Sequence, residues 1–347
     1  MKSANKNKAF LILLFVLIFI WTEASFMFLN TAFAQESGSH KKASKKHRKH
    51  VSRHSKKTHI AYAAPRVATI IVDYDSGKVL QAENADSLHY PASLTKMMTL
   101  YLTFEALKKG NLNLNQTIPI SETAASQPQT NISLAVGERL AVKDAILSVV
   151  VRSANDSAVA LGEAIGGSVS GFAQKMTKKA QQLGMKNTVF RNPSGLPDNA
   201  QHTTARDMAL LGIALKRDFP QYFPFFKTES FSFNGKTYVT HNHVMMRYDG
   251  VDGIKTGFIR ASGFNLVTSV NRDGHRLVAV VLGGSTWRAR DDRMIGLLDR
   301  TFTQLASVPA GKTQLAASIK NRKAANVSGI NNAEEELEGE GDQTQEK

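Results

Sequence analysis

Hydrophobic and polar positions along the chain change period three times. Residues 67–73 are rich in β-branched side chains, Asp75-Ser76-Gly77 supplies turn chemistry, and 78–82 can return as a second strand, which predicts a hairpin. Apolar residues then recur at helical spacing over 93–109, 142–165, 170–183 and 205–215, with Gly110, Gly166 and Gly184 as stops. Strand patterns return at 263–270 and 276–282, joined through Asn271-Arg272-Asp273-Gly274, and a last helix is expected over 291–306. The order strands, helices, strands, helix predicts an α+β domain in which the terminal strands share one antiparallel sheet and the central helices pack beside it.

The two ends read differently. Residues 1–34 carry Lys2, Lys6 and Lys8, an apolar run over 9–21 and a small-residue site at Ala32-Phe33-Ala34, the layout of a secretory signal. Phe26, Met27, Phe28 and Leu29 can extend that run, so a retained N-terminal anchor is the alternative. Residues 35–60 form a basic His/Lys-rich linker. Over 37–59 it is almost wholly Lys, Arg, His and Ser and cannot bury enough apolar surface to fold. This arm accounts for much of the formal charge of +15, which therefore does not mark the folded unit as a nucleic-acid binder. Contact with an anionic membrane or wall polymer through 37–59 and a purely solubilising linker remain alternatives. His47, His50 and His54 lie in that run, where a defined metal site is not expected. Residues 309–347 form a polar tail, acidic at its end through Glu334, Glu335, Glu336, Glu338, Glu340 and Asp342. The folded unit is thus expected over 61–308. The chain has no cysteine, so its stability in an oxidising compartment does not depend on disulfides.

Three short motifs carry the candidate chemistry. Ser93 and Lys96, in Ser93-Leu94-Thr95-Lys96, are three residues apart at a helix start, close enough to touch. A serine hydroxyl becomes a nucleophile when an adjacent base takes its proton, and a lysine serves if burial or a nearby cation lowers its pKa. The same pair is also an ordinary cap followed by a solvated charge. Ser153-Ala154-Asn155 offers a hydroxyl able to relay a proton and an amide able to grip a peptide bond, or an ordinary polar loop. Lys255-Thr256-Gly257 sets a cation and a hydroxyl, both suited to a carboxylate, beside a bare backbone that an extended peptide can approach. Its other reading is an edge strand guarded by lysine.

Ser153 follows Ser93 by 60 residues, and Lys255 follows Ser153 by 102. That ordered set is the one described for penicillin-recognising enzymes. On these motifs, on Asn192-Pro193-Ser194-Gly195-Leu196-Pro197, on Thr203-Thr204-Ala205-Arg206-Asp207-Met208 and on Ser262-Gly263-Phe264-Asn265, the chain resembles the serine D-alanyl-D-alanine carboxypeptidases, the low-molecular-mass penicillin-binding proteins of peptidase family S11. The resemblance covers about 63–307. It implies a penicillin-binding-protein/β-lactamase-like fold and a hydrolase of peptidoglycan stem peptides that needs no cofactor and no metal. It also implies covalent inhibition by β-lactam antibiotics and a place in the periplasm or cell envelope. By resemblance Ser93 attacks the carbonyl between two D-alanines, Lys96 takes its proton, and Ser153 passes one to the departing D-alanine. Asn155 orients the substrate amide, Lys255 adds positive charge, and Thr256 and Arg290 hold the terminal carboxylate. The backbone amides of Ser93 and Phe258 form the oxyanion hole, with Gly257 leaving room for the substrate.

The chain departs from many relatives after residue 308, where neither a β-rich module nor an amphipathic C-terminal helix is evident. Three other functions are weighed. A class A β-lactamase needs a deacylating glutamate downstream of the second motif. The stretch 186–198 has none. An endopeptidase cutting D-alanyl crosslinks has the same motifs and differs in its products. An inactive wall-binding scaffold is disfavoured by the intact Ser93, Lys96, Ser153, Asn155, Lys255 and Thr256.

Overall fold

The computed structural model describes residues 66–307. The signal-like segment 1–34, the basic segment 35–60 and the tail 309–347 lie outside the described residues, as do the expected domain limits 61 and 308. Among the described residues no helix is long and apolar enough to cross a membrane.

The hairpin is β1 (Ala68–Asp73) and β2 (Val79–Glu83), turned where the Asp73 carboxylate accepts the Ser76 amide. A helical portion follows, with α1 (Thr95–Lys108), the minor strands β3 (Thr117–Pro119) and β4 (Arg139–Ala141), and the short α2 (Glu122–Ala125) between them. It continues through α3 (Val142–Val151), α4 (Asn155–Gly166), α5 (Val169–Gln182) and α6 (Ala205–Asp218). A small hairpin of β5 (Ser230–Phe233) and β6 (Lys236–Val239) and a short helix α7 (His243–Arg247) lead back to the main sheet. That return consists of β7 (Val251–Ile259), β8 (Gly263–Arg272), β9 (His275–Gly284) and the closing helix α8 (Trp287–Ala306).

The five main strands lie in the order β2-β1-β9-β8-β7, each antiparallel to its neighbour. This is the α+β arrangement that the sequence predicts. Period-two alternation explains why the sheet is covered on both faces. In β9, Val278, Val280 and Leu282 join the core with α6 residues Met208 and Leu211, whereas Leu277, Ala279 and Val281 pack with Met294, Leu298 and Phe302 of α8. Strands buried on both faces carry near-continuous apolar runs, and Leu277–Leu282 is such a run. The first helix, α1, is buried almost all round. Lys96, in its first turn, is therefore inside the protein.

Three expectations change. The helix expected over 142–165 is two helices, because Ser153 takes a left-handed φ of +61° and the Asn155 amide leaves the ladder to donate to Thr130 O at 2.7 Å. The apolar spacing runs across the break because Val149, Val151, Ala154 and Ala158 face one core. Lys255-Thr256-Gly257 does not merely lead into a strand but sits inside β7, where Gly253 and Gly257 hide the alternation. The last helix starts at Trp287, four residues earlier than expected, capped by the Thr286 hydroxyl accepting the Ala289 amide at 3.0 Å.

Candidate active site

Ser93 sits in a single 3-10 turn, Ala92–Leu94, that runs straight into α1. The residue before it, Ala92, is left-handed at φ +49°. For a residue with a Cβ such a conformation costs about 1–3 kcal/mol and persists only where surrounding contacts impose it. Here two contacts do so. The Asn265 amide on β8 donates to Tyr90 O and Pro91 O at 3.2 and 3.4 Å, while its oxygen accepts the Gly283 amide of β9 at 3.0 Å. On the other side Gly195 lies flat against the turn, and a Cβ there would meet Ala92 O at 1.8 Å. Neither helix start in this region has a side-chain cap, so the Ser93 hydroxyl is not used as one.

Lys96 is fully buried, which removes the reading of a solvated charge after a cap. Its Nζ lies 3.1 Å from Ser93 Oγ, 2.8 Å from Asn155 Oδ1 and 2.6 Å from Ser194 O. The Asn155 amide is oriented by its Nδ2 donating to Pro128 O at 2.9 Å, so Oδ1 is the atom facing the lysine. Burial pushes the Lys96 pKa well below its ordinary value, the charge of Lys255 pushes it further, and Asp156 opposes both. A neutral amine has two N–H donors and one lone pair. In that form the carbonyls of Asn155 and Ser194 can take the two donors, which leaves the lone pair for the Ser93 hydroxyl.

The break between α3 and α4 presents Ser153 and Asn155 to the same spot. Ser153 is buried, its carbonyl accepts the Thr130 hydroxyl at 2.8 Å, and its own Oγ has no hydrogen-bond partner. Next to it the buried Asp156 carboxylate accepts the amides of Ile132, Leu134 and Ser157 and fastens the 132–134 segment to the start of α4. Burial raises the Asp156 pKa despite those amides.

β7 closes the third side. It is an edge strand, as its lysine-guarded reading requires, yet Lys255 is buried and guards nothing. Its ammonium donates to Thr256 O at 3.1 Å, and burial with the charge of Arg290 brings its pKa down to about 7. A Cβ on Gly257 would lie 3.1 Å from the backbone nitrogens of Ser93 and Leu94, so the bare backbone here is what lets β7 approach the turn. Phe258 is half exposed and stacks on Phe264 with ring centroids 4.3 Å apart.

These elements surround one cleft of about 420 Å³ whose walls include Ser93, Ser153, Asn155, Thr256, Phe258 and Arg290. Lys96 and Lys255 lie behind those walls. Arg290, in the first turn of α8, is buried; Nε and Nη2 donate to Asp291 Oδ1 at 2.8 and 2.6 Å, and Nη1 donates to Asn265 O at 3.3 Å. Ser93, Lys96, Ser153, Asn155, Lys255, Thr256, Phe258 and Arg290 are thus at or directly behind this cleft. Motif reading passed over several others. The Ser194 carbonyl is a backbone atom and leaves no side-chain signal. Asp156 and Asp291 directly follow motif residues and were legible as acids but not as anchors. His241 and His243 line the cleft from the segment entering α7, which matched no motif. Burial and the charges of Lys255, Arg152, His243 and Arg290 push the His241 pKa down to about 4.

A serine bonded to a buried amine, on an α+β scaffold with one antiparallel sheet, defines the serine–lysine acyl-transfer hydrolases. Within that class the chain belongs to the peptidase S11 family of D-alanyl-D-alanine carboxypeptidases, whose family model matches residues 54–286. It is 36% identical over 262 residues to D-alanyl-D-alanine carboxypeptidase DacF of Bacillus subtilis, covering 74% of this chain and 67% of that one. It is 37% identical over 251 residues to DacA of Haemophilus influenzae, covering 70% and 64%. The chain thus spans about two thirds of the length of these relatives. Penicillin-binding protein 5 of Haemophilus influenzae superposes with a TM-score of 0.66 at 36% identity, covering 70% of this chain and 72% of that one. Penicillin-binding protein D2 of Listeria monocytogenes, solved with cefotaxime bound, superposes with a TM-score of 0.62 at 26% identity, covering 68% and 96%.

Proposed function

We propose that this protein is a serine D-alanyl-D-alanine carboxypeptidase that removes the terminal D-alanine from peptidoglycan stem pentapeptides. The observation that carries the reading is the buried Lys96 amine, held by the Asn155 and Ser194 carbonyls, beside Ser93 Oγ. Ser93 Oγ forms a bond to the carbonyl carbon of the penultimate D-alanine while its proton moves to Lys96. The resulting oxyanion lies between the backbone amides of Ser93 and Phe258, where each such donor is worth about 3 kcal/mol. Ser153 delivers a proton to the amine of the departing D-alanine and is reprotonated from the Lys96 side, with Lys255 adding positive charge. Thr256 and Arg290 hold the terminal carboxylate, and Asn155 orients the substrate amide. Water then cleaves the Ser93 ester, releasing the shortened peptide and restoring the hydroxyl.

A penicillin acylates Ser93 in the same way. The stretch 186–198, which lacks a glutamate and places a carbonyl rather than a carboxylate on Lys96, supports slow release of that adduct. The layout of residues 1–34 supports export, and the cell envelope is where the substrate lies.

The test is incubation of protein from residue 35 onward with a pentapeptide ending in D-Ala-D-Ala. Released D-alanine and covalent labelling by a fluorescent penicillin are expected, both abolished by Ser93→Ala. Conversion of crosslinked muropeptide dimers to monomers without free D-alanine would replace this reading with an endopeptidase. Rapid penicillin turnover would replace it with a β-lactamase.

A further inference from the structure

Beside the cleft two buried polar atoms face each other unused. Nδ1 of His243 and Oδ2 of Asp291 are 3.8 Å apart, too far for a hydrogen bond, and neither has another partner. Asp291 is fully buried, and its other oxygen holds Nε and Nη2 of Arg290. The imidazole itself meets Trp287 edge-on, with ring centroids 4.7 Å apart at 68°. His243, Trp287 and Arg290 all line the cleft. A buried carboxylate that uses one oxygen and leaves the other bare carries the cost of an unpaired buried acceptor. The group able to complete it is the histidine, less than 1 Å beyond hydrogen-bonding range.

We propose that His243 is a positioning residue for Arg290. When a substrate carboxylate draws Arg290 toward the cleft, Nδ1–H of His243 closes on Asp291 Oδ2, so the carboxylate is held from both sides and the guanidinium keeps one orientation. A neutral ring with its proton on Nδ1 suffices; no change of charge is needed. His243 never touches the scissile bond. Its action is read in how well the terminal carboxylate is bound. This inference rests on Arg290 being the carboxylate anchor of the proposed reaction.

The experiment separates the hydrogen bond from the ring contact. His243→Phe keeps an aromatic face for Trp287 and removes the donor, whereas His243→Asn keeps a donor near the Nδ1 position and removes the ring. Arg290 holds the carboxylate in ground and transition states alike. Losing its alignment therefore raises KM and spares kcat. Steady-state release of D-alanine is expected to show KM raised about tenfold in His243→Phe, as for one lost charge-assisted hydrogen bond, with recovery in His243→Asn. In an Asp291→Asn background, His243→Phe is expected to add little. Equal KM values in wild type and His243→Phe would overturn the proposal. So would matching defects in the Phe and Asn variants, or a fall in kcat at unchanged KM. Should the wild type release no D-alanine, the proposed reaction fails. The same contrast is then read in the rate of acylation by a penicillin, which also carries a carboxylate, with thermal melting of each variant as the folding control.

Discussion

Lys255 lowers the basicity of Lys96 from a neighbouring strand: both side-chain amines are buried, and the charge of Lys255 adds to burial in depressing the Lys96 pKa. Replacing Lys255 by Met removes that charge and leaves the burial. The Lys96 pKa then rises, and its amine stays protonated to higher pH. The acid limb of the acylation profile, measured with a fluorescent penicillin across pH, is expected to move upward in Lys255→Met. A limb that stays in place or moves downward refutes the charge coupling.

The same residue predicts a pH-dependent stability. Lys255 has a folded-state pKa of about 7 against an ordinary value of 10.5. A depressed folded-state pKa means the unfolded chain binds more protons between those values, so stability rises with pH across that window. It is fully present above about 10.5 and is lost as pH falls through 7. Lys255→Met lacks this term. Its melting temperature is expected to exceed that of the wild type at pH 6 and to converge on it toward pH 10. The gap corresponds to at most a few kcal/mol, because part of the burial penalty is met by the bond to Thr256 O. A gap that does not change with pH would show that the lysine is better solvated than its burial implies.

Gly195→Ala is expected to be severe. The site has φ +83°, and the new Cβ would fall 1.8 Å from Ala92 O, in the turn that carries Ser93. Left-handed backbone costs Ala about 1 kcal/mol, and the overlap forces the Asn192–Leu196 loop or the turn to move. That loop is tied down by Asn192 Oδ1 accepting the Gly195 amide at 2.7 Å and by Thr99 Oγ1 donating to Pro193 O at 2.6 Å. Movement separates Ser194 O from Lys96. Thermal melting and penicillin labelling are both expected to fall, labelling by more than the lost stability accounts for. Full labelling at reduced stability would show the loop to be scaffold only.

The fold was readable where an apolar or β-branched run was bounded by turn residues, as in β1, β8 and β9, or where helical spacing ran to a glycine stop, as in α5. It was not readable in β7, where Gly253 and Gly257 replace the side chains that would have shown alternation. Nor was the break at Ser153 readable, since both flanking helices bury their apolar faces in one core. Site residues carrying recognisable side chains in a recognisable order stood out. What the order did not contain were the third partner of Lys96, which is the Ser194 backbone carbonyl, and the Asn265 bridge beneath the Ser93 turn. Those contacts join residues 98 and 175 positions apart, a separation at which local pattern holds no information.

Ser153 sets function against stability. Its φ of +61° is left-handed, and its buried hydroxyl has no partner. Both features destabilise the fold: the backbone by about 1 kcal/mol and the unpaired hydroxyl by a comparable amount. Ser153→Gly removes both and leaves in place the carbonyl that accepts the Thr130 hydroxyl. The greater freedom of glycine in the unfolded chain returns about 0.4–1 kcal/mol of that gain. Ser153→Ala removes only the hydroxyl. Melting temperatures are therefore expected in the order Gly above Ala, with Gly at or above wild type. If Ser153 relays the proton to the leaving D-alanine, both variants lose D-alanine release by about 10²-fold or more. Loss of stability in both variants would mean the hydroxyl is satisfied by water and helps hold the loop. Retained release would move the proton relay to another group, with Lys255 on β7 a candidate.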